Sequence, residues 1–392
     1  MTPAARVQAA IEILDGIQSG SPVEKALTGW ARHSRFAGSK DRAAVRDHVF
    51  GVLRCKRSVS WLGGGETGRD LMLGALRDAE VDPLTLFNGV GYGPAPLSDV
   101  EQAQGAEACD APDPVRLDVP DWLWSHLQRS LGTKTEDVLA LLRHRAPVHL
   151  RANTLVTDRD ALLSQLSEDG YDPKITDLTP TGVEIGGAPR GLTALSRFAD
   201  GWFEMQDAAS QAVVDRLATY LKDADVLDYC AGGGGKALAM AAYRPKHIVA
   251  YDTDAKRMSN LPERTDRARA NIEVVNLVSG LFDLVLCDAP CSGSGAWRRQ
   301  PAAKWDLTPE FLAMLQGLQV EILNTAKEFV RPGGYLAYVT CSLLDLENDI
   351  SVDAFLAEHP GWRSVERLVL TPLDGGDGFY LNVLQPPAAT FS

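Results

Sequence analysis

The 392-residue chain predicts a multidomain protein in three parts: an all-α N-terminal domain, a small α+β subdomain and a C-terminal α/β domain on a mostly parallel sheet. Three observations carry this reading. Apolar residues recur at helical spacing, broken by turn signals, over the first hundred or so positions. Short strand-like runs flank a single helix between 148 and 185. From about 206 onward, apolar runs of strand length alternate with helix-length segments, the pattern of crossover connections. The implied domains are 1–120, 121–205 and 206–392.

In the first part, Val7, Ala10, Ile11, Leu14 and Ile17 form one helical face, and Gly20-Ser21-Pro22 stops it. A second strong helix spans 41–54. Gly63-Gly64-Gly65 and Gly91-Tyr92-Gly93-Pro94 interrupt shorter helical runs, and the Asp- and Pro-rich stretch 106–120 reads as a linker. Residues 121–145 are helical again. In the subdomain, Val148–Asn153 is strand-like and Asp158–Gly170 is a helix with a glycine stop. Residues 174–176 and 182–185 are short strands. Phe203–Asp207 leads into a helix over 208–221. The expected buried strands then follow at Asp225–Tyr229, His247–Tyr251, Asn271–Val275, Phe282–Cys287 and Tyr335–Thr340, and a last pair near Trp362–Leu370 and Gly378–Leu384 closes the sheet.

Composition narrows the class. The chain is 45% hydrophobic and 23% charged, ordinary for a soluble globular protein. It has no apolar run of the roughly 18–20 residues a membrane span needs, and its first residues lack the apolar core of a secretory signal. The six cysteines form neither a disulfide framework nor paired zinc ligands, which suits a reducing cytoplasm. A net charge of -13 argues, taken alone, against a nucleic-acid partner. The distribution softens that objection: residues 1–60 carry ten Lys or Arg against five Asp or Glu, a net of +5, whereas 61–120 carry three against eleven, a net of -8. Arg143-His144-Arg145, and Arg298-Arg299 with Lys304, are small basic groups that fit either an RNA track or solvated faces.

The segment Val226–Lys236 is a strand running into Cys230-Ala231-Gly232-Gly233-Gly234-Gly235-Lys236, where bare backbone can approach a ligand. The spacing is neither that of a dinucleotide fingerprint nor that of a phosphate loop, since Ala237 follows Lys236. Asp252 ends the next strand, where an acid can accept hydrogen bonds from ribose hydroxyls. A loop and an acid without a phosphate motif point to S-adenosyl-L-methionine. The plainer alternatives are a structural glycine turn and a helix cap.

Two thiols follow later strands. Cys291 lies in Asp288-Ala289-Pro290-Cys291-Ser292-Gly293, and Cys341 in Thr340-Cys341-Ser342. Both fall at the carboxyl edge of the predicted sheet, where ligands of open α/β sheets bind. Metal binding is disfavoured because no close His or third Cys joins them. A disulfide switch, or burial as small apolar residues, are the other uses. Nucleophilic attack fits the cofactor best: a thiolate adding to carbon 6 of cytosine makes carbon 5 reactive toward a methyl donor. Asp288 is placed to bond N3, and the second thiol to assist when the adduct breaks down.

These residues together resemble the bacterial RNA 5-methylcytosine methyltransferases of the Nol1/Nop2/Sun family, in its small-subunit ribosomal RNA branch. The likeness covers nearly the whole chain. Asp41-Arg42 and Gly51-Val52-Leu53-Arg54 resemble the RNA-binding domain shared with antitermination factor NusB. Leu150–Thr154, Gly201-Trp202 and Gln206–Gln211 match the family's approach to its catalytic domain. The resemblance implies a Rossmann-like class I methyltransferase domain, with S-adenosyl-L-methionine held by Cys230 to Lys236, Asp252 and Asp288. It also implies that Cys341 is the nucleophile, that Cys291 assists release, and that Arg298, Arg299 and Lys304 lie near the RNA. Glu347-Asn348 fits as well. In two places the chain departs from the family pattern. Gly233 replaces a proline, and the acid expected after the third strand is absent, with Asn276 as its substitute. The implied protein is a cytoplasmic monomer with RNA as partner and no metal or membrane. Its rivals are the same chemistry on transfer RNA, a noncatalytic RNA-binding assembly factor and, more distantly, a redox sensor.

Overall fold

The computed structural model describes residues 1–104, 110–187 and 189–388. The chain forms two compact units: Met1–Gln128 with Gly132–Arg145 and Trp297–Asp306, and Arg129–Leu131 with Ala146–Ala296 and Leu307–Ser392. Among the described residues no helix is long and apolar enough to cross a membrane.

The first unit is helical. Its leading elements are α1 (Pro3–Gln18), α2 (Val23–His33), α3 (Ser39–Arg54), α4 (Lys56–Gly63) and α5 (Gly68–Asp78). Thr2 caps α1 through Ala5 N, and Thr67 with Asp70 makes a reciprocal capping box for α5. Val7, Ala10 and Leu14 of α1 share a core with Val45, Val49 and Val52 of α3 and with Leu71, Met72 and Leu73 of α5. Each of the valine, leucine and methionine side chains among them contributes about 1.5–3 kcal/mol. Helices α4 and α5 meet backbone to backbone: a Cβ on Gly74 would lie 1.8 Å from the Val59 carbonyl oxygen, so only glycine fits.

Two sequence expectations change here. Of the expected linker, residues 106–109 lie outside the described residues. The remainder is ordered: Asp113–Arg116 is a short helix, and Asp118 is fully buried, accepting bonds from Arg57 N, Ser58 N and Ser58 Oγ at 2.9 Å each and from Arg143 Nε at 2.9 Å. That buried carboxylate ties residues 113–128 and 132–145 to the helices of the first unit. Residues 297–306 also belong to this unit. Lys304 Nζ donates to the Arg54 carbonyl at 3.0 Å and Trp305 Nε1 to the Leu53 carbonyl at 2.6 Å. They satisfy terminal carbonyls of α3 that have no intrahelical partner.

In the second unit, β1 (Val148–Ala152), β2 (Pro173–Ile175), β3 (Gly182–Ile185) and β4 (Phe203–Met205) form a four-stranded sheet in the order β2-β3-β1-β4. β4 went unrecognised in the sequence because three residues carry no usable alternation. The main sheet contains β5 (Asp225–Asp228), β6 (His247–Ala250), β7 (Glu273–Val274), β8 (Phe282–Asp288), β9 (Val330–Thr340), β10 (Arg363–Leu370) and β11 (Phe379–Gln385), ordered β10-β11-β9-β8-β5-β6-β7. Strands β5 to β9 pair in parallel, whereas β10 and β11 are antiparallel. Alternation along the strands builds two cores. Val226, Leu284, Leu286, Ala337 and Val339 face one layer, and Leu227, Val285, Cys287, Leu336 and Tyr338 the other. The carboxyl ends of the four neighbouring strands β9, β8, β5 and β6 therefore share one edge.

Candidate active site

Each of three adjacent strands ends in an acid at that edge: Asp228 on β5, Asp288 on β8, and Asp252 two residues past β6. After Asp228 the chain turns through 229–234 into the helix Gly235–Ala241. Gly232 (φ 53°) and Gly234 (φ 77°) are left-handed, and a Cβ on Gly234 would lie 2.2 Å from Leu261 Cδ1. Gly233 is not left-handed, so the turn does not itself require glycine there. Arg264 donates to its carbonyl.

Asp252 is buried and holds the turn. It accepts from Gly232 N at 2.9 Å, Asp254 N at 2.9 Å and Arg257 Nη1 at 3.0 Å. A cavity of about 120 Å³ opens beside it, lined by Tyr229, Cys230, Asp252, Pro290, Leu318 and Glu321 among others. The expected substitute acid-site residue, Asn276, is exposed and does not line this cavity. Glu321, from the helix Pro309–Ala326, is the acid the structure places there. Lys236 Nζ pairs with Asp288 Oδ2 at 2.6 Å.

Asp228 is 1% exposed, and no side chain among the described residues donates to either carboxyl oxygen. Burial pushes its carboxyl up to about 7, with the Asp288 charge adding and Lys236 opposing. Four acids, Asp228, Asp252, Asp288 and Glu321, against Lys236 and Arg257, beside a bare-backbone turn, fit a cationic nucleoside better than a phosphate. Asp228 was not among the expected site residues. Its signal was present in the sequence, in an acid at a strand end like those of Asp252 and Asp288.

The two thiols meet. Strands β8 and β9 are parallel neighbours, and Cys291 Sγ lies 3.5 Å from Cys341 Sγ, both cysteines free. Gly295 N donates to the Cys341 carbonyl at 2.9 Å and Gly378 N to the Gly295 carbonyl at 3.0 Å, so the two loops are stitched through backbone. The hydrogen bond with Cys341 and then burial push the Cys291 thiol well above the usual range. Burial does the same for Cys230, and for Cys287, which sits in the apolar layer.

Of the basic residues expected near the RNA, Arg298 and Lys304 are buried and Arg299 is half-buried. Arg298 is 5% and Lys304 3% exposed, and the Lys304 amine caps α3 in the helical unit. Burial draws Lys304 down to about 8, with Asp118 opposing. In this structure the Lys304 amine is taken up by a helix carbonyl and lies 4.5 Å from the Trp305 ring centroid.

A family model described as "16S rRNA methyltransferase RsmB/F" matches residues 217–384, and the ferredoxin-like domain model of the same proteins matches 119–190. Ribosomal RNA small subunit methyltransferase B of Salmonella arizonae is 30% identical over 387 residues, covering 87% of this chain and 90% of that protein. The chain belongs to the RsmB/F methyltransferase family. The corresponding protein of Serratia proteamaculans is 29% identical, covering 94% of this chain and 95% of its own. In fold, the crystal structure of NSun6 from Pyrococcus horikoshii with SFG superposes with a TM-score of 0.62 at 18% identity, covering 69% of this chain and 99% of that one. As in the RsmB/F family generally, the cofactor is S-adenosyl-L-methionine. The Asp228 and Asp252 carboxylates and the Gly232–Gly234 backbone are the groups that fit it.

Proposed function

We propose that this RsmB/F protein methylates carbon 5 of a cytosine in 16S ribosomal RNA through a covalent enzyme–RNA adduct. The observation that carries the reading is the pair of free thiols 3.5 Å apart, at the sheet edge that also holds the three acids. Cys341 thiolate adds to carbon 6. Its electron pair forms the S–C bond, and the ring's C5–C6 π pair moves onto carbon 5. The proton that the Cys341 thiol gives up is taken up at N3, where the Asp288 carboxylate accepts its hydrogen bond while that charge develops. S-adenosyl-L-methionine supplies the methyl cation equivalent that carbon 5 accepts. Water accepts the carbon 5 proton, and the C–H pair re-forms the C5–C6 double bond and expels Cys341 as its thiolate. Cys291, with its proton held tightly, is the neighbouring group for this exit.

RNA binding draws support from the helical unit, which we read as the NusB-like domain. Arg32, Arg35, Arg42 and Arg46 line a cavity of about 710 Å³ with Trp30. Residues 21–46 carry six Lys or Arg against two Asp or Glu, a net of +4 on a chain of net -13. Arginines interleaved with aromatic surface suit phosphate and base stacking.

The test is transfer of tritiated methyl from S-adenosyl-L-methionine to unmodified small-subunit RNA, beside a transfer RNA pool, with Cys341→Ala as control. Label on ribosomal RNA that depends on Cys341 is expected, and bisulfite sequencing then locates the base. Label on transfer RNA alone would move the substrate. Undiminished transfer by Cys341→Ala would end the covalent mechanism.

A further inference from the structure

Glu347 is 0% exposed, and the reaction as written above does not use it. Its carboxylate is nonetheless the hub joining the two thiol loops. Ser292, the residue after Cys291, donates to it twice: the backbone N to Oε1 at 2.8 Å and Oγ to Oε2 at 2.5 Å. Ser342, the residue after Cys341, donates Oγ to the same Oε2 at 2.5 Å. Gln319 Nε2, from the helix Pro309–Ala326, fills Oε1 at 3.1 Å. Four donors thus saturate a carboxylate that has about four acceptor sites. The arrangement is itself held. Tyr338 OH donates to the Glu347 carbonyl at 2.7 Å. Asn348 accepts from Thr340 Oγ1 at 2.6 Å and donates to the Ser342 carbonyl at 2.9 Å.

We propose that Glu347 is a positioning residue for the methyl-transfer chemistry, a two-armed clamp that sets the separation of Cys291 and Cys341 through Ser292 and Ser342. The proposal rests on the covalent-adduct reading of the two thiols. A fold alone does not need this device: β8 and β9 already pair through Asp288 and Val339, and the backbone bond from Gly295 to Cys341 already joins the loops. What the clamp adds is a fixed spacing of the two loop tips, the coordinate on which two thiols serving one ring depend. A buried carboxylate is suited to it because only an acceptor at both oxygens satisfies four donors at once. A glutamine there turns its amide NH2 either toward Ser292 N and Gln319 Nε2 or toward the two serine hydroxyls, and breaks the bonds on that side.

The arms have separate signatures. Ser342→Ala cuts the Cys341 arm, so the adduct forms more slowly and single-turnover methylation falls. Ser292→Ala cuts the Cys291 arm, so the adduct forms normally but persists, visible as a retarded RNA–protein band on a denaturing gel during turnover. Glu347→Gln lowers kcat about 100-fold, with KM for RNA and Kd for S-adenosyl-L-methionine within about threefold of wild type. Glu347→Asp restores part of the rate. A merely structural role would instead lower cofactor binding, thermal midpoint and both serine variants alike. That outcome, or wild-type turnover and adduct levels in Ser292→Ala and Ser342→Ala, overturns the clamp. The serine variants decide the matter even where Glu347→Gln does not fold. Cys341→Ala run alongside separates the two ideas: if it methylates normally, the adduct reading fails; if it is inactive while the serine variants behave as wild type, only the clamp fails.

Discussion

Two buried aspartates, one in each unit, are treated in opposite ways. Asp118 in the helical unit is fully buried and receives four hydrogen bonds, from Arg57, Ser58 and Arg143. Asp228 at the sheet edge is 1% exposed and receives none from a side chain among the described residues, with only the Ala237 backbone beside it. A saturated buried carboxylate holds a fold together; an unsaturated one costs stability and is retained where something else completes it. The same contrast separates the lysines. Lys304 spends its amine on a helix carbonyl, whereas Lys236 faces Asp288 beside the thiol loops.

The largest effect should come from breaking the saturated site. Asp118→Ala strands four donors and is expected to cost about 3–5 kcal/mol, read as a lowered urea midpoint. A drop below about 1 kcal/mol would mean the site is not the anchor it resembles.

Neutralising the unsaturated site should do the reverse. Between about pH 4 and 7 the folded carboxyl of Asp228 binds its proton more tightly than the unfolded one, so this group's contribution falls as pH rises and is least favourable above 7. Asp228→Asn is therefore expected to stabilise the free protein by about 1–3 kcal/mol at pH 8 and to leave it nearly unchanged at pH 4. The same substitution weakens S-adenosyl-L-methionine binding by calorimetry. Stabilisation with undiminished affinity would remove Asp228 from the cofactor site.

Lys304 sharpens the comparison by pH. Its folded amine releases its proton near 8, against about 10.4 in the unfolded chain, so the unfolded state binds more protons between those values and stability rises across that window. Lys304→Met should flatten the rise, by about 1–2 kcal/mol, without changing RNA affinity. Weaker RNA binding in this variant would return Lys304 to the RNA surface.

The smallest effect on folding should be at the arginine groove. Arg32→Glu with Arg35→Glu is expected to leave stability within about 0.5 kcal/mol. It should weaken ribosomal RNA binding and lower the slope of log affinity against log salt by about 0.7–0.9 for each phosphate no longer neutralised. An unchanged salt slope would remove the groove from the RNA footprint.

Much of this was legible in the chain. The main-sheet strands fall where their apolar runs do, because burial on both faces forces a continuous signal, and Gly182–Ile185 of the smaller antiparallel sheet matches to the residue. The exceptions have physical causes. β7 shrinks to Glu273–Val274 because it is an edge strand with a partner on one side only. β9 begins at Val330, before Gly333-Gly334, with an irregular register opposite Phe282–Leu284 that absorbs the glycines.

The sequence by itself determined the alternation of strands and helices, the glycine turn with its acids, and the two strand-end thiols, since each is local: a period, a turn or a residue next to a strand. Only the tertiary structure decided which of these meet. Cys291 and Cys341 are fifty residues apart, and their 3.5 Å approach follows from the pairing of β8 with β9. Glu347 became the partner of Ser292, and Lys304 the cap of α3, through chain crossings that no window of sequence contains. Hydrogen bonds between distant segments leave no periodic trace; they are chosen when the cores close, and here that choice separates the acid that anchors from the acid that waits for a ligand.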